Sequence, residues 1–112
     1  MTVRKFEPVS IYKVTRTSNG VEETEVLSLL FATAGYYEDI KNPLQLKEFY
    51  RQYTNFAKLT FNYSPKIFEI AQSNDGYSFN SRGFDLRTID AVENGRESIT
   101  FLTYYANAGV RV

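Results

Sequence analysis

The stretch IYKVTRTSNGVEETEVLSLLFA, residues 11–32, decides the fold. Its first part, residues 11–16, is rich in β-branched side chains and alternates, as a half-buried strand does. Ser18, Asn19 and Gly20 follow. Asn-Gly between two such runs is the strongest short-range hairpin signal, because both residues accept the positive φ of a tight turn. The return run begins acidic, with Glu22, Glu23 and Glu25, and becomes apolar over residues 26–32. Periodicity alone would allow a helix there, but the hairpin turn favours a strand. The pattern predicts an exposed tip leading into a buried strand.

Working outward, residues 35–41 read as a loop. Asn42 then offers a helix cap, Pro43 suits the first helical position, and Gln45 completes a capping box. Leu46, Phe49, Tyr50 and Tyr53 fall on one apolar stripe, which predicts a helix of about three turns ending near residues 54–55. Residues 56–63 alternate again: Ala57, Leu59, Phe61 and Tyr63 on one face, Phe56, Lys58, Thr60 and Asn62 on the other. Ser64 and Pro65 end that strand. Residues 67–71 suit either a helical turn or a strand. The stretch GYSFNSRGFDLRTID, residues 76–90, reads as two strands about a turn at residues 80–83, with Phe79, Phe84, Leu86 and Ile89 facing the core. The second strand continues to Val92, through a bulge. A turn centred on Asn94 and Gly95 precedes a last strand, residues 98–105. Residues 106–112 read as a loose tail. The sum is a single domain over residues 1–112. It is mainly β, a small antiparallel barrel or sandwich of about six strands with one short helix after the second strand.

Composition narrows the chemistry. The 112 residues include no His and no Cys. That removes the commonest general base, any thiolate metal site and any disulfide. No apolar run approaches the ~18 residues of a membrane span, and the N-terminus lacks the apolar core of a signal peptide. A soluble, intracellular protein is the expectation. Asp85 and Asp90, and the cluster of Glu22, Glu23 and Glu25, are carboxylates without an evident cleft to raise a pKa. Asp75 and Gly76 lack the further ligands of a calcium loop, and Gly83 and Gly95 sit in turns rather than in a phosphate cradle. The reading is a protein that is not an enzyme and has no metal or cofactor.

The aromatic fraction is high, 16%, with nine Tyr and nine Phe. Phe56, Phe61, Tyr63, Phe79 and Phe84 could stack nucleic-acid bases, but a net charge of zero gives little counterion-release drive. The charge is unevenly spread. Residues 1–17 carry Arg4, Lys5, Lys13 and Arg16 against Glu7; residues 21–48 carry Glu22, Glu23, Glu25, Glu38, Asp39 and Glu48 against Lys41 and Lys47. Two readings follow: solvated strand faces that pair with each other, or unlike patches that dock copies of the chain side by side.

The order of these elements resembles the bacteriophage head–tail joining proteins, also called head-closure, head-completion or connector proteins. The resemblance runs over residues 8–106. It rests on the opening hairpin, the excursion at residues 35–55 and the alternating strand AKLTFNY at residues 57–63. It is completed by the closing pattern YSF, RG, FDL, Ile89 and residues 99–105. The family's short glycine turn after the third strand is replaced here by IFEIA, residues 67–71. The resemblance implies a structural virion neck protein. Copies would form a ring between the portal or adaptor above and the tail protein below, assembled in the host cytoplasm. The ring helps retain packaged DNA, which passes the channel without sequence-specific binding. In the family the excursion after the second strand reaches toward the channel. That makes Tyr36, Tyr37, Glu38, Asp39 and Lys41 the candidates for channel or partner contact. Arg4, Lys5, Lys13, Arg16, Glu22, Glu23 and Glu25 are the candidates for contact between subunits. The alternatives are a phage-encoded module that binds and inhibits a host protein, or another neck or tail-completion protein.

Overall fold

A computed structural model describes residues 6–18, 20–40, 44–50, 55–73 and 76–106. Among these are six strands and two helices: β1 Glu7–Ser18, β2 Glu23–Asp39, α1 Leu44–Phe49, β3 Phe56–Asn62, α2 Pro65–Ser73, β4 Tyr77–Ser81, β5 Phe84–Asn94 and β6 Ser98–Tyr105. All strand pairs are antiparallel and form one sheet in the order β1-β2-β3-β6-β5-β4. β1 pairs with β4, so the ring closes as a barrel. Closure leaves no sheet edge within the barrel itself.

Local chemistry explains the joints. β4 and β5 meet at Arg82 and Gly83, both at positive φ (55° and 81°). That is the two-residue hairpin geometry whose twist matches the strands. β5 pairs with β6 through two register shifts, one between Thr88 and Asp90 and one between Ala91 and Glu93, so the expected bulge is present. The bulges bend β5 around the barrel.

Several elements differ from the sequence reading. The residues at 35–39 are not a loop: β2 runs to Asp39 and pairs with β3 from Gly35 to Asp39. The second difference is α2. Residues 67–71 are helical, so the protein has a helix after β3 as well as one after β2. Ser64 caps α2, its Oγ accepting the Ile67 N–H at 3.2 Å, and Pro65 opens the helix. The Ser-Pro pair that ends β3 therefore also starts a helix, by the cap-then-proline logic expected at Asn42 and Pro43. α1 spans six residues rather than three turns. Asn42, Pro43 and Tyr53 lie outside the described residues. Leu46 and Tyr50 are half-buried, and the Tyr50 ring sits 6.4 Å from that of Phe56.

The barrel is filled by side chains. Val9, Ile11, Leu59, Phe61, Phe79, Leu86, Ile99 and Phe101 form one buried cluster, joined at one end by Ile67, Ile70 and Ala71 of α2. Its centre is three mutually edge-on rings from β3, β4 and β6. Phe61–Phe79, Phe61–Phe101 and Phe79–Phe101 have centroid distances of 5.3, 5.8 and 5.1 Å. This is the arrangement in which ring edges meet ring faces favourably. Gly35 lets β2 enter this packing. A Cβ there would stand 2.8 Å from Cε1 of Phe61 and 3.3 Å from Cγ2 of Val9. Phe61 is held by the other two rings and cannot yield. Gly35→Ala is expected to lower stability by about 1–3 kcal/mol through overpacking, read as a lower midpoint in urea.

The strand expected to be buried at residues 26–32 is largely exposed. Beyond Lys13, β1 leaves β4, and before Gly35 β2 has no pairing with β3. Residues 14–18 and 23–27 thus form a two-stranded arm projecting from the barrel, in continuous register from Val14↔Leu27 to Ser18↔Glu23, while residues 28–34 stay paired with the barrel part of β1. Val26 (51% exposed) and Leu27 (37%) lie on it, Val21 (91%) lies at its tip, and Leu29 (61%) and Leu30 (47%) lie at its root. The apolar run in the sequence was read as core because composition does not say whether a second layer lies above a strand.

Candidate functional site

Three features of the surface carry the chemistry. The first anchors the arm. Asp85 and Arg87 are two residues apart on β5, so the period of a strand puts them on one face. Arg87 donates to both Asp85 oxygens, at 2.8 and 2.9 Å, and Ser78 Oγ donates to Asp85 at 2.5 Å. Arg87 Nη2 also donates to Glu25 of the arm at 2.6 Å, and Arg16 stands 3.4 Å from the other Glu25 oxygen. The chain Ser78–Asp85–Arg87–Glu25–Arg16 ties the arm to the barrel wall. The Asp85 and Arg87 side chains are each only 11% exposed.

Burial by itself would raise the Asp85 carboxyl. The hydrogen bonds from Arg87 and Ser78 and the Arg87 charge together outweigh it and hold the carboxyl below its ordinary 3.8. The hydrogen bond from Arg87, against a smaller opposing effect of burial and with help from the charges of Arg87 and Arg16, holds Glu25 below its ordinary 4.5. The guanidinium of Arg87 is pushed further up by its bonds to Asp85 and Glu25. Both carboxyls are lowered in the folded state, so their contribution is complete above their ordinary values. It fades as pH falls below 4.5 and then 3.8 toward the folded values, and is gone once the folded carboxyls are protonated. Urea midpoints should therefore be flat near neutrality and fall below about pH 4.5, with the low-pH loss reduced in a variant lacking Asp85 and Arg87. Glu25→Ala removes the bond that crosses from barrel to arm. Since Glu25 is one-third exposed, global stability should change by less than about 1 kcal/mol, while amide exchange over residues 23–28 accelerates.

The second feature is a knot at the end of β2. Tyr37 and Tyr105 share a hydrogen bond between their hydroxyls, and Tyr105 donates to Asp39 at 3.0 Å. Arg82 lies over the Tyr37 ring at 4.5 Å and holds Glu7 in a two-pronged pair at 2.5 and 2.6 Å. Burial pushes the Tyr105 hydroxyl up from its ordinary value. Tyr37 and Asp39 are thus engaged within the chain. Glu38 borders a groove of about 800 Å³ together with Lys58, Glu93 and the apolar side chains of Ile40, Leu46 and Val92. Tyr36 is half-buried on the β2 face that carries Glu38, and Lys41 lies outside the described residues.

The third feature is the arm. Of the charged side chains assigned to subunit contact, Arg16, Glu23 and Glu25 pair across the hairpin, with Arg16 lying 3.8 Å from Glu23. Lys13 packs over Tyr77 at 4.5 Å. Glu22 is exposed beside the tip, and Arg4 and Lys5 lie outside the described residues. The first of the two charge readings, faces that pair with each other, therefore describes Arg16, Glu23 and Glu25. Of the five aromatics considered for base stacking, Phe56, Phe61 and Phe79 are buried, Phe84 is half-buried and Tyr63 is exposed.

Reasoning from sequence missed Ser78, Arg87, Arg82 and Tyr105. The Asp-x-Arg spacing on a strand was a usable signal for one pair. Nothing local marks Glu25, 62 positions away, as the second partner of Arg87.

No protein-family model matches the chain, and no curated protein matches it. No helix among the described residues is long and apolar enough to cross a membrane.

Proposed function

We propose that this chain is a structural protein of a bacteriophage neck, a head–tail joining protein. Copies of it form a ring between the portal or adaptor and the tail and help retain packaged DNA. One observation carries the reading: exposed apolar side chains gather along a projecting two-stranded arm and its root. Apolar surface presented in one place marks a protein contact. The order of elements shared with the head–tail joining proteins supplies the setting. In this reading the barrel is a rigid spacer and the arm its means of attachment. The end of β2, with Glu38, faces the channel in this reading, where its carboxylate would repel DNA. The reading requires no catalysed reaction and no cofactor.

The test is to delete the gene from a phage that encodes this chain and examine the particles. The expected result is filled heads that lose DNA or fail to hold tails, with the protein co-purifying with wild-type virions. Intact, DNA-retaining particles made without it would remove the proposal. A single host protein captured in stoichiometric amount, with no virion association, would favour the inhibitor reading, which the same arm would serve.

A further inference from the structure

At the root of the arm, where it meets α2, lies a cleft of about 350 Å³. Phe31, Ile70 and Tyr77 line it, Lys13 and Lys66 border it, and Glu69 is the one acidic side chain among its lining residues. The two ammonium groups sit over aromatic rings, Lys13 over Tyr77 at 4.5 Å and Lys66 over Phe31 at 5.2 Å. Neither makes an ion pair among the described residues. An apolar floor with two unneutralised cations at its border suits a small apolar group flanked by carboxylates.

The tip of the arm has that chemistry. Gly20, at φ 91°, turns the chain, Val21 is 91% exposed, and Glu22 and Glu23 follow it. Tip and cleft cannot meet within one molecule. Val21 and Phe31 are ten residues apart along an extended strand, a span of roughly 33 Å. We propose that the tip of one copy docks into the root cleft of the next. Val21 enters over Phe31 and Tyr77, and Glu22 and Glu23 face Lys13 and Lys66.

The contact is heterologous: each copy offers one tip and one cleft, so the assembly either closes into a ring or runs on as a filament. The inference names the contact between copies that a ring requires, and it rests on that reading for the expectation that copies meet. Its charge pairs weaken as salt rises, whereas the seat of Val21 does not.

The experiment uses sedimentation of the full chain at low salt. The wild type should sediment as oligomers that shrink as salt is added. A tip variant (Val21→Ser, Glu22→Ser, Glu23→Ser) and a cleft variant (Lys13→Ser, Lys66→Ser) should each lose at least about tenfold in self-association, with unchanged circular dichroism. Mixed together, they retain one good tip and one good cleft, and should form a 1:1 pair and nothing larger. Because the chain has no cysteine, a Val21→Cys protein mixed with a Glu69→Cys protein should also give a disulfide-linked heterodimer. A monomeric wild type, variants that assemble like the wild type, or a mixture that stays monomeric overturns the inference. The outcomes separate it from the neck reading. A virion protein whose variants assemble normally removes only the contact. A tip-to-cleft assembly in a protein absent from virions removes only the setting.

Discussion

Asp85→Ala should cost the fold about 3–5 kcal/mol, a large part of the stability of a domain this size. The size follows from what is left behind. Arg87 remains among buried neighbours with only the partly exposed Glu25 to neutralise it, and the fully buried Ser78 hydroxyl loses its acceptor. A buried charge stripped of its partner is far costlier than the intact pair is favourable. The triple variant Ser78→Ala, Asp85→Leu, Arg87→Met should therefore recover most of the loss, because it removes the buried unsatisfied groups together and leaves only the partly exposed Glu25, which keeps Arg16. Urea titrations of the two variants and the wild type measure both effects. A single-variant cost below about 1 kcal/mol would mean that water reaches the cluster and the pair behaves as a surface pair.

Phe101→Ala should cost about as much, 3–5 kcal/mol, by a different route. Phe101 is fully buried and touches Phe61 and Phe79 edge-on. Its removal leaves a cavity in the middle of a closed barrel. The strands around it are hydrogen-bonded on both sides and cannot collapse inward, so little of the void is refilled. Phe101→Leu keeps most of the volume and should cost much less. Thermal unfolding of the two variants distinguishes loss of volume from loss of the ring: near-equal destabilisation would assign the energy to the aromatic contacts.

The closing hairpin shows why some of the fold could be read directly. The alternating runs on either side of the turn at residues 80–83 give the facing, since a slip of one residue would turn Phe79 and Leu86 outward; that Arg82 and Gly83 alone make the turn, with Ser81 opposite Phe84, came from the structure. The strands at residues 56–62 and 98–105 were legible for the same reason. The helix α2 was ambiguous because five residues of apolar pattern fit both periods, and its cap was read only as the end of β3. The arm and its root were misread because Val26, Leu27, Leu29 and Leu30 have the composition of a core strand. Their exposure depends on where β3 and β4 stop pairing, which is a property of other segments.

Of the candidate site, Tyr37 and Asp39 were two of five residues read for channel or partner contact, and in the structure both are engaged within the chain. Tyr105, which binds both, lies more than 60 positions away. The lysines of the cleft illustrate the same limit. Lys13 and Lys66 are ordinary surface residues in the chain, and become a pair only when α2 is laid beside the root of the arm.

By itself, then, the sequence determined most of the strands, the hairpin turns and much of the barrel's interior. These depend on φ preferences and on a period of two, both of which are local. Closure of the sheet, projection of the arm, the Asp85–Arg87–Glu25 anchor and the cleft beneath it were decided by the tertiary structure alone. Each depends on which distant segments compete for the same hydrogen-bonding edge or the same charge, and that competition is resolved only when the whole chain has packed.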